Sequence, residues 1–140
     1  MNFLRSLEIS ASGLYAQRKR MDIIASNLAN IETTRTEKGG PYRRKMVAMR
    51  AKPMDDFDRI LSQQRDGVEI DEIVEDRSDF KRVFNPSHPD ANEEGYLLKP
   101  NIDLVVEIAN MILASRAYEA NITVMKSTKQ MAMKALEIGR

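Results

Sequence analysis

The chain predicts an α+β fold: long N- and C-terminal helices packed as an antiparallel coiled coil, with a small β-rich middle. Three observations carry this. Leu4, Leu7, Ala11, Leu14, Met21, Ala25 and Leu28 fall on alternating steps of three and four, interrupted only by Arg18. Leu104, Ile108, Met111, Tyr118, Ile122, Met125, Ala132 and Leu136 do the same at the other end, with Ser115 and Lys129 as breaks. That spacing is the a/d seam of a coiled coil. Between the two stripes lies a polar stretch rich in turn residues, which suits short strands.

The first helix is expected from about Asn2, a fitting cap, to Asn30. It stops where β-branched Thr33, Thr34 and Thr36 lead into Gly39-Gly40-Pro41. A strand is expected over Pro41–Ala51, closed by Pro53. Residues 55–65 fit a short helix carrying Phe57, Ile60 and Leu61, and fit an acidic loop equally. Val68-Glu69-Ile70-Asp71, continuing to Glu75, alternates apolar and acidic residues in the manner of a half-exposed strand. After a turn at 76–79, Phe80–Phe84 is a third strand, and 85–101, with three prolines, reads as an extended arm. The candidate core of this middle is Tyr42, Val47, Val68, Ile70, Ile73, Val74, Phe80, Val83 and Phe84. The second helix is expected to start at Asn101, just after Pro100, and to stop at Gly139. The chain thus divides into 1–33, 34–101 and 102–140.

Composition excludes several function classes. The chain has no Cys, so it has no disulfide framework, no thiolate zinc site and no thiol nucleophile. Its longest apolar runs, such as Met111–Ala114, are four residues, far short of the roughly 20 that cross a bilayer. The first residues lack the continuous apolar stretch of a cleaved signal peptide. Residues 1–50 hold 10 Lys/Arg against 4 Asp/Glu, and residues 51–100 hold 7 against 13. This split, with Arg43-Arg44-Lys45 on the basic side, fits electrostatic contact between copies and fits solvated faces equally.

No motif carries catalytic or ligand chemistry. One His, His88, sits in a proline-rich loop and cannot build a usual zinc site alone. Asp90-Ala91-Asn92-Glu93-Glu94-Gly95 begins like a calcium loop, but its twelfth position is Asn101 where a bidentate Glu belongs. Arg43-Arg44-Lys45 lacks the aromatic platform of a nucleic-acid site. The expectation is no catalytic residue, no metal, no cofactor, no nucleic acid and no membrane-spanning segment. Isolated helices are marginal in water, so helices at both ends need partners.

Several strings resemble a known family. Ser12–Arg18, then Met21-Asp22-Ile23-Ile24-Ala25-Ser26-Asn27-Leu28-Ala29-Asn30 with Thr33, resemble the N-terminal signature of bacterial flagellar rod and hook axial proteins. Ser115-Arg116-Ala117-Tyr118-Glu119-Ala120-Asn121 and the ending Lys134–Arg140 resemble their C-terminal signature. Gly40–Lys45, Gly67-Val68, Ile73–Asp76 and Asn85–Tyr96 are similar to the middle of proximal-rod members. Ile31 stands where members usually carry Ala. The resemblance implies an elongated protomer of a helical tube, a structural subunit that transmits torque. It implies as partners other copies, other rod proteins, the rod–ring junction and the flagellar type III export apparatus, which takes the chain uncleaved. The alternative is a cytoplasmic helical adaptor or export chaperone. Stripe and motifs together nominate Leu7, Leu14, Met21, Asn27, Leu28, Asn30, Ile108, Met111, Tyr118, Asn121, Ile122, Met125 and Leu136 as subunit-interface residues.

Overall fold

A computed structural model describes residues 3–53 and 66–138 of the chain. The short helix or acidic loop expected over 55–65, the cap at Asn2 and the stop at Gly139 lie outside the described residues. The order of elements is helix α1 (Phe3–Ala29), strands β1 (Lys45–Pro53), β2 (Asp66–Glu75), β3 (Lys81–Phe84) and β4 (Tyr96–Lys99), and helix α2 (Leu104–Ile138). This is the expected α+β arrangement of two long helices and a small sheet region.

The end of α1 and the start of α2 each have a local cause. At the end of α1, the Asn30 side-chain amide donates to the carbonyl of Ser26 at 2.9 Å, and Thr33 donates through its hydroxyl to the Asn30 side chain at 3.1 Å. A side chain thereby satisfies one of the carbonyls that a helix end leaves unpaired. Asp103 caps α2: its carboxylate accepts the backbone N–H groups of Val105 and Val106 at 2.9 and 3.1 Å. The cap therefore falls two residues beyond the expected start at Asn101, whose side chain is engaged elsewhere.

The helices run antiparallel. Asn27 meets Glu107, Arg20 meets Asn110, and Gly13 meets Asn121, so positions rising along α1 meet positions falling along α2. The seam between them is not the expected apolar stripe. Its buried residues are Ser10, Gly13, Ala16, Ile24 and Asn27 on α1, and Glu107, Ala114 and Thr128 on α2. On α1, Ser10, Gly13, Ile24 and Asn27 sit one residue before the stripe positions Ala11, Leu14, Ala25 and Leu28. Small residues let the two backbones approach: a Cβ on Gly13 would lie 3.0 Å from the Asn121 side-chain nitrogen. Leu4, Ile108 and Leu136 are exposed, and Leu7, Leu14, Met21, Leu28, Met111, Tyr118, Ile122 and Met125 are half-buried on the shoulders of the seam.

Four strands form two separate antiparallel pairs, β1 with β2 and β3 with β4. The first pair slips register between Ala48 and Met49, so Asp71 has no opposite residue. This hairpin lies against α1, where the Ser12 hydroxyl accepts the N–H of Val68 at 3.0 Å. β1 begins at Lys45 rather than Pro41. β4 is a strand where an extended arm was expected; it is four residues long and hemmed by Gly95 and Pro100. Gly95 adopts φ 81°, and any Cβ there would come within 2.9 Å of the Phe84 ring.

Among the described residues the buried apolar core is small: Ala16, Ile24, Leu97, Ile102 and Ala114. Ile73, Val83 and Phe84, expected inside, are exposed. A two-stranded sheet offers little area to cover both of its faces.

Candidate assembly surfaces and the polar node between the helices

The described residues most constrained by their neighbours are polar. Glu107 and Asn27 are each only 1% exposed. Arg44 reaches one Glu107 oxygen twice, from Nε at 2.8 Å and from Nη2 at 2.7 Å. Asn27 Nδ2 donates to the other Glu107 oxygen at 3.0 Å. The same Asn27 amide donates to the Lys45 carbonyl at 2.8 Å and accepts the Lys45 N–H at 2.9 Å. The Tyr42 hydroxyl also donates to Asn27 Oδ1, at 3.3 Å. A carboxylate is tolerated in a buried place when it is paired and hydrogen-bonded, and this one is both.

A second layer surrounds the node. Arg44 offers Nη1 to Asp76 at 3.5 Å, and its backbone N–H donates to Asn101 Oδ1 at 2.9 Å. Asn101 in turn donates to the Asp76 carbonyl at 3.1 Å and to the Ser78 hydroxyl at 2.8 Å. Hydrogen bonds from the Ser78 backbone and side chain, aided by Arg44 and opposed by partial burial, hold the Asp76 carboxyl below its usual range. The Asp103 carboxyl is also lowered, chiefly by the N–H of Val106.

The basic triplet is engaged within its own chain. Arg43 donates to the carbonyls of Asp76 and Ser78 at 2.9 and 3.0 Å, and its guanidinium lies 4.3 Å over the Phe80 ring. Arg44 serves the node. The Lys45 ammonium lies 5.5 Å over the Tyr42 ring. Of the motif residues, Asn27 builds the node, Asn30 caps α1, and Asn121 faces Gly13.

Large apolar side chains stand outside this intramolecular scheme. On α2, Val105 is 74% exposed, Leu113 61% and Leu136 75%, with Ile108, Ile112, Val124, Met131 and Met133 also exposed. Lone exposed apolar residues are ordinary, but a helix carrying many of them over its length marks a contact surface. Glu107 and Asp103 do not stand out in the sequence, and Asn101 stands out only as the start of the second helix. A signal for Glu107 was present: a single acid breaks the run Leu104-Val105-Val106-Glu107-Ile108 one turn after an Asp cap. Among the described residues, no group of His and carboxylate side chains is placed to hold a metal, and no helix is long and apolar enough to cross a membrane.

Comparison with known proteins gives the arrangement its context. A family model for flagella basal body rod proteins matches residues 7–35, and one for the C-terminal part of flagellar basal body rod FlgEFG proteins matches residues 93–138. The flagellar basal-body rod protein FlgC of Bacillus subtilis is 48% identical, across 100% of both chains. That of Borreliella burgdorferi is 39% identical over 99% of this chain and 98% of its own. That of Salmonella typhimurium is 37% identical across 100% of both.

Proposed function

Because the chain belongs to the FlgC family of flagellar basal-body rod proteins, and so is a structural subunit of the rod and not an enzyme, we propose that it polymerises through its helices into an inner tube. Residues 1–33 and 102–140 form that tube as coiled-coil layers, and 34–101 form the outer layer of the proximal rod. The single observation that carries this is the row of large apolar side chains on α2 left outside the seam with α1. Leu7, Leu14, Met21, Leu28, Met111, Tyr118, Ile122 and Met125, half-buried on the shoulders, and exposed Ile108 and Leu136 are the residues that neighbouring copies cover. Burial of such side chains supplies about 1.5–3 kcal/mol each.

Opposite charge steers the copies together. The basic N-terminal third meets the acidic strand β2, where Asp71, Glu72 and Glu75 are exposed. Arg43, Arg44 and Lys45 contribute to that field while holding their own chain. Helices that gain most of their burial from neighbours suit passage through the flagellar type III export apparatus without a cleaved signal, with ordering on arrival at the rod–ring junction.

The test replaces Leu113 or Ile112 with Glu and asks whether the chain still copurifies with basal bodies. Neither side chain is buried within its own chain, so the monomer keeps its circular dichroism spectrum while the rod is lost. Normal incorporation of both variants would remove the proposed surface.

A further inference from the structure

We infer that the Glu107–Arg44–Asn27 node is a register pin: it fixes which turn of α2 lies against which turn of α1, and thereby sets the phase in which the apolar shoulders face a neighbouring copy. The second clause rests on the assembly reading above; the first stands without it.

The argument begins with what the rest of the seam lacks. Its buried α2 residues Glu107, Ala114 and Thr128, with half-buried Asn121 between them, recur every seven positions. Against them stand Ser10, Gly13, Ala16, Ile24 and Asn27. Apart from Ile24 these side chains are small or polar. A slip of α2 by one repeat, about 10 Å along the axis, would place Ala114 at Asn27 and Thr128 at Gly13, and the one larger side chain the seam would have to admit is Asn121 in the slot of Ala114. Small, repetitive seams specify proximity well and register poorly. Buried polar groups specify register, because a misaligned one loses its partners inside a dry environment.

Among the described residues the node is the fully buried contact with that selectivity, and the Asn101 side chain before α2 and the partly buried Arg20–Asn110 bond assist it. A slipped helix would leave the Arg44 guanidinium without Glu107 and the Asn27 amide without its fourth partner. Arg44 cannot follow, since its carbonyl accepts the N–H of Asp76 at 2.8 Å and it leads directly into β1, which is paired with β2. Asn27 cannot follow either, because its amide grips both backbone groups of Lys45. The node therefore ties the end of α1, the start of β1 and the first turn of α2 at one point. Glu107 acts as a positioning residue, working through the partners it holds.

The chain's lack of cysteine makes the register directly readable. Three full-length double variants are made: Gly13→Cys with Asn121→Cys, with Ala114→Cys, and with Thr128→Cys. The first pair suits close approach, since replacing Asn121 by the smaller Cys vacates the space a Cβ at 13 requires. Intramolecular disulfide is scored as monomer of altered mobility on a denaturing gel. With the native node, only the 13–121 pair closes. With Arg44→Met and Glu107→Leu added, the 13–121 product loses its exclusivity, and the 13–114 or 13–128 product appears, although helicity by circular dichroism is kept. Glu107→Gln, whose one amide oxygen can accept from Arg44 while its NH2 then faces the Asn27 amide donor, gives an intermediate mixture. Exclusive 13–121 closure in the node-less protein would overturn the proposal, as would mixed closure or none in the native-node protein. If the node-less protein loses its helicity, Glu107→Gln alone decides: a share of 13–114 or 13–128 product supports the pin, and closure as exclusive as in the native-node protein refutes it. These results concern the monomer, so they stand apart from whether basal bodies incorporate the chain.

Discussion

The inner and outer faces of the same two helices are built on opposite principles. The inner face joins α1 to α2 with Ser, Gly, Ala, Asn, Thr and a paired Glu, and it is closed by close approach and hydrogen bonds. The outer shoulders carry Leu, Ile, Val and Met, half-buried or exposed within the chain. Changes to the inner face should therefore alter the fold of the subunit, and changes to the outer face should alter its assembly. The contrast teaches that hydrophobicity alone does not tell which surface a helix keeps for itself.

The sharpest break of the inner face is Arg44→Met. It strands Glu107, which is almost wholly buried, with only Asn27 as partner, and unpairing a buried charge costs about 3–5 kcal/mol. Glu107→Leu should cost less, because Arg44 is a fifth exposed and keeps Asp76 nearby. Urea unfolding of the two single variants orders them; equal losses would mean that the pair does not govern the node.

Gly13→Ala comes next. The added methyl presses on Asn121, and forced overpacking costs about 1–3 kcal/mol, partly offset by roughly 1 kcal/mol of helix propensity. With Asn121→Ala the pressure is gone, and the pair should unfold later than Asn121→Ala alone. A double-mutant cycle by thermal melting reads the coupling, and additivity would place the close approach elsewhere.

The effect of pH should be gentler and local. Asp76 and Asp103 both have lowered folded pKa values. Their contribution is therefore full above the ordinary carboxylate value of about 3.9 and is lost as pH falls through the folded value. Amide-exchange protection at Val105, Val106 and Ser78 should be flat from pH 7 to 5 and drop below about pH 4. A loss already complete by pH 5 would contradict the assigned hydrogen bonds.

The outer face gives the smallest effect on folding and the largest on the rod. Leu28→Glu and Met125→Glu, at half-buried positions, should cost the monomer less than the about 3–5 kcal/mol of unpairing Glu107, yet leave cells that secrete the protein and do not swim. Burying an unpaired charge at every subunit contact is prohibitive. Glu at Lys19 or Lys126, both exposed, should be milder in a motility assay. Equal damage at all four positions would erase the distinction between the two faces.

Much of the fold was legible from the chain. Both helices end within a few residues of their expected limits, and β2 and β3 lie where alternation and turns put them. β4 was not legible, because a four-residue strand between Gly95 and Pro100 has too few positions to show a period. The one-residue offset of the seam has a different cause. Heptad counting on Leu, Ile and Met finds the most apolar face, whereas α1 and α2 meet on the face that permits closest approach. The node was half legible: Asn27 stood out by its motif, but nothing local told that an acid 80 positions away would meet it. Arg43 and Arg44 read as surface charge, since their partners at Asp76, Ser78 and Glu107 come from distant segments.

Asn27 has a further consequence for the sheet beside it. Its amide offers Lys45 an N–H and a C=O, the pair of groups that the next strand of a sheet would offer. A helix residue thus stands in for one residue of a missing third strand. Open strand edges invite pairing with other chains and are a common route to aggregation. At Lys45 that invitation is already answered, so a second copy cannot add its backbone there. A protein made to stack in many copies has one of its stickiest borders shut from within.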